Sequence, residues 1–163
     1  MNKQLLIIRH AKAAWPEDVS SDFDRPLEKR GETEADNLGH FLKKENILPD
    51  FVVCSAAKRT RKTWKIINKV LCLPEDKISL TDQIYEASYK DIFKLTTELD
   101  NKHQLVAIVG HNPGVSDIIN YFLGKPLISL PPAGTVLLEF PFNDWKMLSS
   151  GTAEVKTVYR PEK

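Results

Sequence analysis

The stretch Leu5-Leu6-Ile7-Ile8-Arg9-His10-Ala11-Lys12 decides how this chain is read. Four consecutive apolar residues end abruptly in an adjacent arginine and histidine. A short apolar run of this kind reads as a buried strand with the polar pair at its carboxyl end, and in open α/β sheets ligands bind outside the carboxyl ends of strands. Arginine presents phosphate with a rigid fork of donors, and histidine can attack phosphorus as a nucleophile. Because such pairs also occur by chance, the residues farther along the chain carry the weight.

Apolar runs over 4–9, 50–54, 77–81 and 104–110 alternate with segments of helical period, the pattern of parallel strands joined by crossover helices. Ala35, Leu38, Phe41 and Leu42 form one helical stripe; Ile92, Leu95 and Leu99 form another; Val115, Ile118, Ile119, Phe122 and Leu123 form a third. Residues 58–71 read as a further helix with Trp64, Ile67 and Leu71 toward the sheet. The tail differs: 135–140 and 152–159 are β-rich, and the 141–151 turn region between them has no room for a crossover helix. They read as a hairpin, which sets one terminal strand antiparallel to the rest. The predicted fold is therefore a three-layer α/β/α arrangement on a mixed, mostly parallel sheet, with residues 1–163 as a single domain.

Composition narrows the function. A net charge of +1 without a basic block argues against general nucleic-acid binding. No signal peptide or membrane span fits the sequence, and Cys54 and Cys72 show neither CxxC nor metal-ligand spacing. A cytoplasmic protein with no membrane partner, no metal and no cofactor is expected. Cys54, inside an apolar run, reads as a small buried hydrophobe; His40 and His103 read as solvated.

Polar groups recur at the other strand ends. Ser55 follows the second strand as a helix N-cap, and the next turns carry Lys58, Arg59, Arg61 and Lys62. Cations sit poorly at a positive helix N-terminus unless an anion lies among them, so at least one of these should face the strand ends, while most are solvated. After the fourth strand comes Gly110-His111-Asn112-Pro113-Gly114, with Asn112 as cap and Pro113 at the first helical position. Glu86 follows the third strand, where it is either a proton donor or simply a carboxylate at a helix start. The 11–29 segment shows no regular period, and a loop that long in a compact domain is usually functional. Nucleophile-elbow, P-loop and HExxH patterns are absent. Two arginines and two histidines converging in this way suggest a phosphoryl site, in which guanidinium charge keeps a nucleophilic histidine neutral and neutralises the equatorial oxygens.

Taken in order, Leu6-Ile7-Ile8-Arg9-His10-Ala11, Ser55-x-x-x-Arg59-Thr60-x-x-Thr63, Ile84-Tyr85-Glu86-Ala87-Ser88 and Val109-Gly110-His111-Asn112-Pro113 resemble the histidine phosphatase superfamily, with its phosphoglycerate-mutase-like fold. The Arg-His-Ala variant, the segment Asp22-Phe23-Asp24-Arg25-Pro26-Leu27 up to Gly31, and the small size look like the SixA-type phosphohistidine phosphatases. The resemblance implies that His10 is transiently phosphorylated, that Arg9, Arg59 and His111 bind the phosphoryl group, and that Glu86 is a proton donor. Members acting on phosphohistidine have less need of that donor, since a protonated imidazole leaves far better than an alkoxide. Arg25 either reaches the pocket or anchors its loop. Two departures stand out: Ala11 replaces the glycine usual in the wider superfamily, and Pro16 lies near where larger members carry an asparagine.

The expected activity is thus removal of phosphoryl groups from phosphohistidine in proteins by a monomeric enzyme. The alternatives are a phosphatase of a small phosphoester on the same residues and, in a different class, a non-catalytic module that binds phosphate or phosphoprotein.

Overall fold

The apolar run at the start becomes β1 (Gln4–Arg9), and its side chains are buried on both faces. Leu5 and Ile7 enter one core cluster, and Leu6 and Ile8 enter the other. Alternate residues of a strand point to opposite faces, so a strand apolar throughout belongs between two layers of helices. The structure, a computed structural model, describes residues 1–162.

Around β1 the sheet has six strands in the order β3-β2-β4-β1-β5-β6. The partners are β2 (Phe51–Ser55), β3 (Ile78–Thr81), β4 (Leu105–Gly110), β5 (Thr135–Glu139) and β6 (Glu154–Tyr159). The first four strands run parallel, whereas β5 is antiparallel to β1, and β6, antiparallel to β5, again runs with the rest. The mixed sheet with one antiparallel strand is as expected.

Four helices complete the layers: α1 (Lys29–Lys44), α2 (Lys58–Leu71), α3 (Tyr89–Thr97) and α4 (Gly114–Leu123). Leu38, Leu42, Trp64 and Ile67 carry α1 and α2 against Leu6, Ile8, Cys54 and Val109 on one face. Ile92, Val115, Ile119 and Phe122 carry α3 and α4 against Leu5, Ile7, Val106 and Ile108 on the other. Cys54 is a buried member of the first cluster, and burial pushes its thiol up to about 12, which makes it inert. Among the described residues, no helix is long and apolar enough to cross a membrane.

Three local expectations are corrected. Ser55 is the last residue of β2, and Ala57 occupies the N-cap position of α2. Pro113 is the N-cap of α4; the Asn112 side chain instead donates to the Leu130 carbonyl and accepts from the Ser116 hydroxyl. His103 is not solvated: it is 8% exposed and lies flat against the Phe51 ring at 4.3 Å. An imidazole two residues ahead of a buried strand finds an aromatic partner there, which an isolated sequence position does not reveal. His40 is exposed, as expected.

The 11–28 excursion from β1 is less irregular than its sequence suggests. Ala13 bridges Leu27, the Ala14 N–H donates to the Pro26 carbonyl, and the Glu28 N–H donates to the Lys12 carbonyl, so the two ends zip together. At its tip, Asp22–Asp24 forms one turn of 3-10 helix.

Candidate active site

In the parallel pair β1–β4, Arg9 stands opposite Gly110. The next residue of each strand, His10 and His111, leaves the sheet at the same level, and their rings lie 5.2 Å apart. Each is almost fully buried, at 9% and 8% exposure. From the neighbouring α2, Arg59 turns inward from the first helical turn and is 6% exposed. Lys58 and Arg61, by contrast, are exposed. The helix therefore directs one of its cations to the strand ends and leaves others in solvent.

Hydrogen-bond partners assign the tautomer of each imidazole. His10 Nδ1 lies 2.7 Å from the Ala11 carbonyl oxygen, which only accepts, so Nδ1 carries the proton. His10 Nε2 is then a bare lone pair, and the Arg59 Nε–H donates to it at 3.3 Å. Burial drives the His10 pKa down to about 3, with the cationic Arg59 and Arg9 and the neighbouring His111 adding to the effect and the Ala11 carbonyl opposing it. The imidazole is neutral at any physiological pH, the state nucleophilic attack requires. The Ala11 N–H donates to the Thr63 hydroxyl at 3.0 Å, which ties the residue after His10 to α2.

Ser55 does for His111 what Ala11 does for His10. Its Oγ lies 2.8 Å from His111 Nε2 and accepts the Ala57 N–H at 3.4 Å, so the hydroxyl proton is free to point at Nε2. With the hydroxyl donating to Nε2, His111 Nδ1 carries the proton, and this buried atom has no partner. Burial, with Arg59 and Arg9 adding and Asp22 opposing, lowers the His111 pKa to about 4, so its donor is a neutral N–H. Arg9 repeats the pattern: its NH1 group donates to the Leu130 carbonyl at 2.9 Å, while its Nε is buried and unpartnered. A buried donor without a partner costs about 1–3 kcal/mol. Two such donors at the mouth of one strand pair fit a site shaped for an anion with several oxygens.

Two residues absent from the sequence-derived set join the cluster. The Asp22 carboxylate accepts from Arg59 at 3.0 Å, from the Tyr85 hydroxyl at 2.7 Å and from Arg25 at 3.2 Å, and its backbone carbonyl takes a second Arg59 bond at 2.7 Å. Partial burial pushes its pKa up, but hydrogen bonds from Tyr85, Arg25 and Arg59 outweigh this and bring it down to about 2. The bond to Asp22, with burial and the charges of Asp22 and Glu86, holds the Tyr85 phenol up at about 12. Tyr85 also meets the His111 ring edge-on at 5.4 Å. The one sequence signal for Asp22 is its place in the Asp22-Phe23-Asp24-Arg25-Pro26 segment of an otherwise irregular loop.

Arg25 anchors that loop. Its Nε donates to the Ala14 carbonyl, its guanidinium stacks on the Trp15 ring at 3.5 Å, and it meets the cluster only through Asp22. Glu86 is solvent-exposed, in a left-handed backbone conformation (φ 55°) just ahead of α3, while its neighbour Tyr85 turns inward. Among the described residues, no three His, Cys, Asp or Glu side chains gather as a metal site.

Comparison with known proteins identifies the fold and the family. An uncharacterized chloroplastic protein of Arabidopsis thaliana is 27% identical over 90% of this chain and 70% of its own length. The SixA protein of Agrobacterium tumefaciens superposes with a TM-score of 0.85 over 99% of both chains at 24% identity. A protein histidine phosphatase SixA complexed with tungstate superposes with a TM-score of 0.82 over 97% of both chains at 20% identity. The fold is thus the phosphoglycerate-mutase-like fold of the SixA structures. The sequence pattern of the histidine phosphatase superfamily (branch 1) matches residues 5–104, from β1 through α3, and the histidine that β4 adds beyond that segment lands beside the one at the end of β1. The chain belongs to the histidine phosphatase superfamily.

Proposed function

We propose that the protein is a phosphohistidine phosphatase, which moves the phosphoryl group from a histidine of another protein onto His10 and then to water. The observation that carries this reading is the bare Nε2 lone pair of a neutral His10, set beside the unpartnered donors of Arg9 and His111. In the first step Nε2 forms a bond to phosphorus while the bond from phosphorus to the substrate nitrogen breaks, and its electron pair stays on that nitrogen. In the second, water attacks phosphorus in line, its proton passes to phosphate oxygen, and His10 leaves as the neutral imidazole. Arg9 and Arg59 neutralise the equatorial oxygens, and the His111 Nδ1–H donates to one of them; stabilisation of this kind is the larger part of phosphoryl-transfer catalysis.

The leaving group selects phosphohistidine over an ester. An alkoxide needs a proton as it departs, and neither inward-facing acid is suited to give one: Asp22 is ionised, and the Tyr85 phenol is held at about 12. A phosphorylated imidazolium releases a neutral imidazole, which departs without a proton from the protein. Glu86, at the rim, is the proton donor for whatever ester the site accepts. The similar SixA structure is complexed with tungstate, an oxyanion of the kind this site would take. The free thiols of Cys54 and Cys72, the latter exposed, fit a reducing compartment such as the cytoplasm.

The test is phosphate release from a histidine-phosphorylated protein domain and from a panel of small phosphoesters, with the His10→Ala variant as blank. Preference for phosphohistidine, insensitivity to chelator, and an acid-labile phosphoryl group trapped on His10 are expected. Retention of a tenth of the wild-type rate by His10→Ala would end the assignment. Preference for a single ester would make the protein a small-molecule phosphatase instead.

A further inference from the structure

The Asp22 carboxylate is oddly placed for a phosphate site. It is anionic and sits on Arg59, the same side chain whose Nε touches the nucleophile. Repulsion between carboxylate and phosphoryl oxygens would make it a liability unless it serves the other half of the substrate. An ionised carboxylate has about four acceptor positions. Arg59, Tyr85 and Arg25 fill three, and the side chain remains 36% exposed. One position is left for an incoming donor, a single guanidinium width from His10 Nε2.

Resting on the function proposed above, we infer that Asp22 is the specificity-determining residue for phosphohistidine: its free lone pair accepts the ring N–H of the substrate imidazolium. An opposite charge at hydrogen-bond distance favours the charged form of an imidazole. The substrate ring therefore keeps its proton in the complex, although Arg9 and Arg59 pull the other way. On transfer, the phosphorus–nitrogen bond breaks and its electrons neutralise the substrate ring. The positive charge reappears on the His10 ring, whose Nδ1–H faces the Ala11 carbonyl. Asp22 thus plays toward the substrate imidazole the part that the Ala11 carbonyl plays toward His10, and it keeps its own ionisation unchanged throughout. The two rings are matched across phosphorus, and the step requires no general acid.

The experiment compares the Asp22→Asn variant with wild type on two probes: a protein domain phosphorylated on histidine, and p-nitrophenyl phosphate, whose phenolate leaves unprotonated. The reading is kcat against pH, because kcat reports ionisations within the complex. With phosphohistidine, the alkaline limb of kcat is expected to move down by about one pH unit in Asp22→Asn. The ratio of kcat on phosphohistidine to kcat on the aryl phosphate should then fall about tenfold at pH 8, one pH unit being a factor of ten. The Tyr85→Phe variant removes a competing donor from the same carboxylate and leaves the Arg25 anchor in place, so it should move that limb upward. Equal losses on both probes with no movement of the limb would overturn the inference and make Asp22 a mere support for Arg59; so would a downward shift in Tyr85→Phe. A wild-type protein that hydrolyses the aryl phosphate and leaves phosphohistidine untouched would overturn the proposed function itself, and this inference with it.

Discussion

The Arg59 Nε–H lies 3.3 Å from His10 Nε2, while both terminal nitrogens of the same guanidinium are held by Asp22. Three of its five N–H donors are committed, one to His10 and two to the loop that carries Asp22. In the proposed mechanism phosphorus bonds to Nε2, that lone pair disappears, and the Nε–H must turn to a phosphoryl oxygen. Arg59 therefore follows the reaction coordinate and gains its best acceptor only once phosphate is transferred. A lysine keeps the charge and loses the fork. Arg59→Lys is expected to reduce kcat about 10²–10³-fold, the usual loss for one transition-state donor. A loss smaller than tenfold would show that charge alone suffices.

Ser55 offers a cleaner test of tautomer control, because it touches His111 and no substrate atom. Removing its hydroxyl lets the proton settle on either ring nitrogen and leaves the buried Nε2 without a partner. Ser55→Ala is expected to lower kcat about 10–100-fold, the range seen when a group that orients a functional histidine is lost. KM should change little and the melting temperature should fall slightly. Wild-type kcat in this variant would show that His111 keeps its tautomer without help.

Both site histidines also predict how stability depends on pH. Their folded values, about 3 for His10 and about 4 for His111, lie below the ordinary histidine value of 6.5. Between those limits the unfolded chain binds more protons, so stability rises with pH through the window and is lost as pH falls below about 6.5. Each fully differential histidine contributes at most about 1.4 kcal/mol per pH unit. Asp22, lowered from 3.8 to about 2, adds its own loss only further down, as pH falls through that range. Denaturant melts at pH 7.0, 5.5 and 4.5 should show a steady decline, less steep in His10→Asn. Equal stability at all three would contradict the buried, neutral state of the pair.

Much of this site was legible in the residues themselves. Arg9, His10 and His111 follow apolar runs short enough to be strands, and parallel register brings them to one edge without further assumption. Arg59 stood out as a cation where a helix N-terminus disfavours one. The partners that tune these groups were not legible, because each makes a contact across long sequence separation. Ser55 reads as a cap by local rules, and only the neighbouring strand β4 reveals that its hydroxyl belongs to His111. Asp22 lies in a loop with no period, and what places it is the stack of Arg25 on Trp15 together with the Tyr85 hydroxyl. His103 looked solvated because a stacking partner 52 residues away leaves no mark on its own neighbourhood.

Glu86 divides the two substrate classes. Exposed and one residue beyond the inward Tyr85, it can serve a leaving group only at the rim. Glu86→Gln is expected to lower turnover of alkyl phosphates at least tenfold more than turnover of a phosphohistidine domain, general acids being worth about 10²–10⁴ where they act. Equal loss on both would mean that Glu86 protonates the imidazole as well, and that phosphohistidine does not arrive as the imidazolium.

The tightest joint lies under the loop rather than in the pocket. A Cβ on Gly31, in the first turn of α1, would stand 2.3 Å from the Lys12 carbonyl oxygen and 3.0 Å from the Lys12 nitrogen. Lys12 follows Ala11, whose carbonyl fixes the His10 tautomer and whose N–H is tied to Thr63. A methyl group there pushes backbone against backbone, which no rotamer change relieves. A Cβ on Gly39 would stand 3.1 Å from the Val70 side chain and 3.2 Å from the Ile67 carbonyl oxygen of α2, well along the helix from the site. Both Gly31→Ala and Gly39→Ala overpack the α1 layer and should lose about 1–3 kcal/mol of stability. Only Gly31→Ala displaces the Ala11 carbonyl, so only it should also lower kcat, by tenfold or more, at temperatures where both variants are folded. If the two variants lose stability alike and keep wild-type kcat, the orientation of His10 does not depend on the path of the chain at Lys12. The nucleophile would then be held by Thr63 and β4 alone.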